Sequence, residues 1–159
     1  MGIGSDASVT ATVSTSCGDI VLELDPSAAP ETVNSFVFLA EQGYFDGVVS
    51  HRIAPGFVLQ IGDQTATGSG GPGYSIIDEL PADSSAYKAG ALAMANSGAN
   101  TSGSQFFIDF VDTGLPPQYS VFGQLIEGDD VLAAIEQIPV SGDTPLESLY
   151  IESVEIDIS

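Results

Sequence analysis

Residues 50–60 read Ser-His-Arg-Ile-Ala-Pro-Gly-Phe-Val-Leu-Gln. They include His51, which is the only histidine, and Arg52, which is one of only two basic residues. Apolar residues surround both side chains in a pattern typical of a strand. Because 22 acidic residues compete for so few cations, a guanidinium inside an apolar strand pattern suggests a specific role for Arg52. The alternative is a partly exposed arginine that pairs with any nearby carboxylate.

The composition predicts one folded domain. A chain of 159 residues, of which 43% are apolar, is large enough to bury a hydrophobic core and too apolar to be disordered. We expect a single domain over residues 1–159, with residues 1–8 as a flexible N-terminal extension. No apolar run is long enough to span a bilayer, and residues 1–8 lack the features of a signal peptide. The expected protein is soluble, and either cytoplasmic or secreted.

The net charge of −20 limits the partners and the chemistry. Nucleic acid and anionic lipid are excluded as partners, because phosphate binding needs clustered lysines and arginines. Salt would screen the self-repulsion of the surface, so we expect tolerance of high ionic strength, as in a halophilic protein. Cys17 is the only cysteine, so neither an internal disulfide nor a structural zinc site is expected. No metal and no cofactor are predicted.

Alternating and β-branched residues predict short strands separated by turns. The predicted strands cover residues 8–15, 19–25, 47–53, 57–62, 91–95, 105–110, 120–125 and 149–156. A hairpin joins the first two, and a change of phase near Glu152 and Ser153 allows a β-bulge in the last. About eight such strands favour a closed antiparallel barrel whose interior is filled by side chains. A functional site would then lie on the outside of the barrel or at its mouth.

Two helices complete the predicted secondary structure. Pro30 suits a first helical position, and apolar residues spaced three and four apart follow it. Gly43 supplies a stop signal, so the first helix is predicted from about Pro30 to Gln42. The second helix begins near Asp129 and carries on one side Val131, Leu132, Ile135 and Ile138.

Other chemistries have weaker support in the sequence. Hydrolysis would need His51 as the only imidazole base, and no Gly-x-Ser-x-Gly elbow is present. Gly68-x-Gly70-x-x-Gly73 formally matches a dinucleotide fingerprint, but no strand–turn–helix unit surrounds it. No calcium-loop pattern occurs, and the sequence leaves a glycosidase-type pair of carboxylates open without locating it.

Three blocks of the sequence resemble the cyclophilin signature. The first is residues 50–63, and the second is residues 93–108, which read Ala-Met-Ala-Asn-Ser-Gly-Ala-Asn-Thr-Ser-Gly-Ser-Gln-Phe-Phe-Ile. The third is Val121-Phe122-Gly123 with the helix that follows it. The resemblance extends over about residues 15–157. The chain is therefore similar to the cyclophilin-type peptidyl-prolyl cis-trans isomerases, whose fold is a mostly β, closed eight-stranded antiparallel barrel capped by two α-helices.

The resemblance implies an enzyme that accelerates rotation about X-Pro peptide bonds without a cofactor and so assists protein folding. Its partners would be proline-containing peptides and unfolded or partly folded proteins, and we expect it to be a monomer. The resemblance implies Arg52 as the catalytic residue. It also implies substrate binding by Phe57, Val58, Gln60, Gly68, Ala95, Asn96, Ser97, Gln105, Phe107, Leu115 and Tyr119.

Within that set, the family pattern divides the roles. An apolar wall for the substrate proline ring would comprise Phe57, Val58, Phe107 and Leu115. Gln60 and Gln105 would orient the peptide and Arg52 by hydrogen bonds. The backbone of Asn96, with Ala95 and Ser97 beside it, would pair with the substrate backbone. Gly68 would shape a neighbouring pocket.

Three positions depart from the family pattern. Gly114 stands where the family commonly has a tryptophan that often contacts cyclosporin, so weak binding of cyclosporin is expected. Tyr119 replaces the pocket histidine of the family, and its ring and hydroxyl can still close the pocket. Val58 replaces the usual methionine, which is a modest change.

Two alternatives remain open from the sequence. The pocket could bind prolyl peptides without catalysing rotation, as a binding module or a chaperone-like scaffold would. More distantly, the chain could be an acidic hydrolase whose activity depends on His51. The retained Arg52 favours the isomerase.

Overall fold

A computed structural model describes residues 2–159. Over that range the chain forms two α-helices, α1 (Pro30–Glu41) and α2 (Asp129–Glu136), and a 3-10 helix, Ser84–Ala86. The first five strands in chain order are β1 (Val9–Thr15), β2 (Gly18–Leu24), β3 (Arg52–Ala54), β4 (Val58–Ile61) and β5 (Ala91–Met94). They are followed by β6 (Phe106–Asp109), β7 (Val121–Glu127), β8 (Val140–Ser141), β9 (Thr144–Pro145) and β10 (Ile151–Ile158).

Eight of the strands among residues 2–159 form one curled antiparallel sheet in the order β10-β1-β2-β7-β5-β6-β4-β3. This confirms the predicted eight antiparallel strands and two helices. An isolated bridge between Val49 and Tyr150 joins the segments that precede the two end strands, β3 and β10. Beyond it, the N–H of Ile53 on β3 donates to the carbonyl of Asp143, so the short β8–β9 hairpin lies against this edge. The sheet is a half-barrel, and its full closure stays a prediction.

The concave side of the sheet and α1 share the main hydrophobic core. Pro30 occupies the first turn of α1, and the helix ends at Glu41 before Gly43, whose φ is +70°, so the predicted helix is confirmed within one residue. Phe36 of α1 is central to the core, with its ring centroid 5.1–5.4 Å from those of Phe45, Phe106 and Phe122. Burying such aromatic side chains contributes about 1.5–3 kcal/mol each.

Differences from the prediction concern the ends of the elements and one hairpin. The strands predicted at 47–53 and 57–62 shorten to β3 and β4, and Ile138 lies beyond the end of α2 although it is buried. The predicted bulge is confirmed, because Ser14 pairs with Ser153 and Thr15 with Ile151, which leaves Glu152 as the extra residue. The hairpin of β8 and β9 was not predicted.

The segment before β1 contacts helix α1. The N–H of Ile3 donates to Oδ1 of Asn34 at 2.8 Å, and Ala7 packs against the core. The flexibility of residues 1–8 and the single-domain boundary stay predictions, and Met1 lies outside the described residues. Between residues 2 and 159, no helix has the length and apolar character needed to cross a membrane.

Candidate active site

A row of three side chains crosses the outer face of the sheet. Arg52 on β3 pairs with Gln60 on β4, and Gln60 pairs with Phe107 on β6. Residues directly opposite each other on adjacent strands point to the same face, so the register itself places the arginine, the amide and the aromatic ring side by side. This face looks away from the main core and carries a second apolar cluster.

That second cluster forms the wall of a small cavity. Its buried members are Ala54, Val58, Tyr87, Ala93 and Phe107. The loop between β6 and β7 folds over the cluster and adds Leu115 and Tyr119. The resulting cavity of about 180 Å³ is lined by Arg52, Phe57, Val58, Gln60, Ala95, Asn96, Phe107, Leu115 and Tyr119.

The Arg52 guanidinium is held from three sides at the edge of this cavity. Its Nε donates to Oδ2 of Asp143 at 3.1 Å, and its Nη1 donates to Oε1 of Gln60 at 3.3 Å. Its Cζ lies 5.6 Å from the centre of the Phe57 ring, within the range of a cation–π contact. A planar guanidinium with two fixed acceptors has few orientations left, so its remaining N–H donors point in set directions.

Two glutamines extend the contacts of Arg52 to a distant loop. Gln60 donates from Nε2 to Oε1 of Gln105 at 3.1 Å. Gln105 in turn donates from Nε2 to the carbonyls of Gly68 at 2.9 Å and Gly70 at 3.1 Å. The arginine is therefore tied, through side-chain amides, to the backbone of the loop that follows β4.

A single buried carboxylate organises that loop. Asp63 is fully buried and accepts hydrogen bonds from the backbone N–H groups of Thr65, Thr67, Gly68 and Gly70 and from both threonine hydroxyls. Burial alone would raise the pKa of Asp63, but these donors outweigh it and hold the pKa far below its usual range. The carboxylate thus stays charged and keeps the loop closed around it.

Asp63 was not among the predicted site residues. The signal was present, because Asp63 is followed by Thr65, Thr67 and two glycines, and an aspartate before such residues commonly binds the backbone of its own turn. What the sequence could not show is that the side chain of Gln105 binds the carbonyls of Gly68 and Gly70 in this loop.

A second and larger cavity adjoins the first. It has a volume of about 710 Å³ and shares with the small cavity the side chains of Gln60, Ala95 and Asn96. Gly68, Ser97 and Gln105 line it as well. Every site residue that the sequence predicted therefore lines one of two neighbouring cavities.

Tyr87 fastens the loop that carries two of the wall residues. Its hydroxyl donates to the carbonyl of Tyr119 at 2.7 Å and accepts from the N–H of the same residue at 3.1 Å. The Tyr119 ring then meets the Phe107 ring edge-on at 5.5 Å. Tyr87 was not a predicted site residue, because it comes from the acidic segment before β5 and has no motif around it.

One buried acid lies behind the wall. Asp109 ends β6, pairs with Val58 across the sheet and is fully buried. Its Oδ2 accepts from the Thr113 hydroxyl at 3.2 Å, whereas its Oδ1 has no hydrogen-bond partner among residues 2–159. Burial raises the pKa of Asp109 to about 7, so this carboxyl gains and loses a proton near neutrality.

Within residues 2–159, His51 lacks the hydrogen-bonded nucleophile that a hydrolase would need. Its ring is half-buried, and its Nδ1 is buried without a hydrogen-bond partner in the described part of the chain. Burial lowers the pKa of His51, which favours the neutral ring. A nucleophile activated by histidine would be hydrogen-bonded to it. Between residues 2 and 159 there is also no cluster of three metal-ligating side chains.

Comparisons with known proteins agree on one family. The family model described as cyclophilin type peptidyl-prolyl cis-trans isomerase/CLD matches residues 10–156. The chain is 43% identical over 142 residues to peptidyl-prolyl cis-trans isomerase ppi1 of Schizosaccharomyces pombe, which covers 86% of this chain and 92% of that protein. It is also 43% identical over 154 residues to peptidyl-prolyl cis-trans isomerase-like 2 of Cryptococcus neoformans, which covers 92% of this chain.

A solved structure gives the same result for the fold. The cyclophilin type peptidyl-prolyl cis-trans isomerase of Cryptosporidium parvum superposes with a TM-score of 0.89 and 32% identity, covering 94% of this chain and 98% of that one. The same protein has been crystallised in the presence of the dipeptide Ala-Pro. The chain spans only 27% of the length of the Cryptococcus relative.

Proposed function

Because the chain belongs to the cyclophilin-type peptidyl-prolyl cis-trans isomerase family, we propose that it accelerates cis-trans isomerisation of X-Pro bonds in peptides and in unfolded or partly folded proteins. The observation that carries this proposal is the Arg52 guanidinium at the edge of an apolar cavity of about 180 Å³. A proline ring fits the apolar chemistry of the wall, and Arg52 at the edge of the cavity would face the peptide bond before that ring.

The reaction explains why a fixed donor suffices. Rotation about a peptide bond has a barrier of about 18–20 kcal/mol because amide resonance is lost on the way. At the twisted state the prolyl nitrogen becomes pyramidal and more basic than in the planar amide. A donor aimed at that nitrogen binds the twisted state better than either planar isomer, and this difference is what accelerates the reaction. Arg52 is the donor in this proposal.

The wall holds the ring while the rest of the peptide turns. Phe57, Val58, Phe107 and Leu115 surround the cavity with apolar groups, and Tyr119 closes it with the edge of its ring. No covalent bond is made or broken, so the proposed mechanism assigns no step to a nucleophile, a metal or a cofactor.

Polar groups beside the cavity would bind the peptide backbone. Asn96 and Ala95 line both cavities, and Ser97 and Gly68 line the larger one. Asn96 is itself held by a hydrogen bond of 2.9 Å from its Nδ2 to the carbonyl of Gln118. We assign the larger cavity to peptide residues on the amino side of the proline. The Ala-Pro dipeptide present with the Cryptosporidium protein is consistent with a short prolyl ligand.

The energies are compatible with this division of roles. An acceleration of about 10⁵-fold requires that the barrier falls by roughly 7 kcal/mol. A hydrogen bond from a charged donor contributes about 1.5–3 kcal/mol. The remainder must come from holding the ring and removing water from the amide inside the cavity.

The test compares the only two basic residues of the chain. Exchange between the cis and trans forms of an Ala-Pro-Phe peptide is measured by NMR with wild type, Arg52→Ala and Lys88→Ala. Lys88 is exposed, so its variant controls for the loss of one positive charge. We expect fast exchange with wild type and Lys88→Ala and a loss of more than tenfold with Arg52→Ala.

Two other results would contradict the proposal. Peptide shifts in wild type without faster exchange would indicate a prolyl-peptide-binding module instead. A folded Arg52→Ala protein with nearly normal exchange would remove Arg52 from the mechanism.

A further inference from the structure

The hairpin of β8 and β9 brings an acid to the arginine from far along the chain. Ser141 pairs with Thr144, so Gly142 and Asp143 form a two-residue turn. Gly142 has a φ of +63°, as the first central residue of such a hairpin turn requires. The turn presents the side chain of Asp143 to Arg52, 91 residues earlier in the sequence.

Asp143 is attached to β3 by two bonds. Its carbonyl accepts from the N–H of Ile53 at 2.9 Å, and its carboxylate accepts from Nε of Arg52 at 3.1 Å. The main-chain bond fixes the position of Asp143 beside β3, so its carboxylate reaches Nε from a defined direction. This pair is the only salt bridge among residues 2–159, although the chain has 22 acids.

We propose that Asp143 is a positioning residue that sets the orientation of the Arg52 guanidinium toward the peptide in the cavity. The proposal rests on the proposed function, because it assigns Asp143 its effect through Arg52. Asp143 holds Nε and Gln60 holds one N–H of Nη1, which leaves three of the five N–H donors for the substrate. Hydrogen bonds at two different nitrogens, Nε and Nη1, fix the orientation of the planar guanidinium. A single hydrogen bond would still let the group turn about that bond.

The position of the pair indicates an orienting role rather than a stabilising one. The side chains of Arg52 and Asp143 are 35% and 51% exposed, and exposed ion pairs contribute little to folding stability. Misalignment of a catalytic donor, by contrast, reduces turnover even when the fold is unchanged. We therefore expect the loss of Asp143 to affect the reaction and the arginine, and to leave the melting temperature almost unchanged.

The first test uses the fact that Arg52 is the only arginine. In ¹⁵N-labelled protein its Nε–H group gives one side-chain NMR signal, which needs no assignment among several arginines. Asp143→Ala should shift this signal and speed its exchange with water. Asp143→Asn keeps an oxygen acceptor and should change it less. Asp157→Asn, which removes an equal charge from the exposed end of β10, should leave it unchanged.

The second test separates orientation from a general effect on the fold. Asp143→Ala should lower kcat for Ala-Pro-Phe exchange by about fivefold, equivalent to about 1 kcal/mol, with KM little changed. Asp143→Asn should recover most of that loss. In an Arg52→Ala background, Asp143→Ala should have no further effect on peptide affinity, whereas a role in shaping the pocket would lower affinity in both backgrounds.

The two proposals fail in different ways. An unchanged Nε–H signal in Asp143→Ala, or wild-type turnover in that variant, overturns the role of Asp143 while the isomerase stands. Absence of exchange in wild type overturns the proposed function. In that case the Nε–H signal still decides whether Asp143 orients Arg52.

Discussion

Oδ2 of Asp63 accepts a hydrogen bond from the backbone N–H of Gly70 at 2.9 Å, and this contact closes the loop that supports the site. Gly70 also accepts from Gln105 through its carbonyl at 3.1 Å. The same residue therefore joins the buried carboxylate to the glutamines that lead to Arg52. The loop after β4 therefore supports Arg52 as well as lining the larger cavity.

A methyl group at Gly70 tests this support. A Cβ there would collide with Oδ1 of Asp63, whereas a Cβ at Gly71 would meet no atom within 4 Å. We expect Gly70→Ala to move the loop and lower kcat/KM for Ala-Pro-Phe by about tenfold, a change of roughly 1.4 kcal/mol. Gly71→Ala is the matched control and should change it less than twofold. Equal activities of the two variants would show that the position of the loop does not affect turnover through Arg52.

Asp109 should make stability depend on pH between its unfolded and folded pKa values. Burial raises its pKa from 3.8 to about 7 in the folded protein, so the folded state binds the proton more tightly. The contribution of this group to stability is therefore fully present below about pH 4 and is lost as pH rises through 7.

Denaturant unfolding of wild type and Asp109→Asn at pH 4 and pH 8 measures that contribution. The free energy of unfolding of wild type, relative to Asp109→Asn, should fall by up to about 4 kcal/mol between the two pH values, because each unit of pKa difference corresponds to about 1.4 kcal/mol. Glu155→Gln on the exposed side of β10 controls for the removal of a carboxylate and should show no such change. A difference that is constant with pH would mean that folding does not raise the pKa of Asp109.

Cyclosporin should bind wild type weakly and bind better when a tryptophan is restored at Gly114. A Cβ at this position meets no atom within 4 Å, but the φ of +58° is left-handed. We therefore expect Gly114→Trp to gain affinity while losing about 1 kcal/mol of stability. The chain has no other tryptophan, so the fluorescence of the new indole reports binding directly. Gly114→Ala carries the same backbone strain without the indole and should gain no affinity in calorimetry.

Salt should stabilise the folded protein. With a net charge of −20, the compact state is destabilised by self-repulsion, which ions screen over about 3 Å at 1 M and about 10 Å at 0.1 M. We expect the melting temperature to rise by several degrees between 0.1 M and 1 M KCl. Replacing the exposed acids Glu152, Glu155 and Asp157 by their amides should raise the melting temperature at low salt and reduce the salt effect. An unchanged salt effect would contradict self-repulsion as its cause.

The secondary structure was largely predictable because its signals are local. Pro30, Gly43 and the apolar spacing between them predicted α1 within one residue of its observed end. The change of phase near Glu152 predicted the bulge where β10 pairs with β1. The β8–β9 hairpin was missed because its strands have two residues each, too few for a period to be visible.

The site was predictable only where the family signature names its residues. Arg52, Gln60 and Phe107 lie in the matching blocks, and the register of β3, β4 and β6 places them in one row. Tyr87 and Asp143 have no such signal. Tyr87 reaches the site through a hydrogen bond to a residue 32 positions away, and Asp143 through one to a residue 91 positions away. Local sequence patterns do not indicate contacts over such separations.

The sequence by itself determined the family, the antiparallel strands and twelve of the residues that line the two cavities, because these depend on local periodicity and on short blocks of residues. The resemblance already implied Gln60 as a hydrogen-bond partner of Arg52, but only the tertiary structure decided that Asp143 and the loop around Asp63 also hold this arginine in place. Its acceptors, Asp143 and Gln60, and the loop tied down by Asp63 come from separate parts of the chain. They meet only because the half-barrel curls and the hairpin of β8 and β9 docks on β3, and such contacts are set by packing in three dimensions rather than by neighbours in sequence.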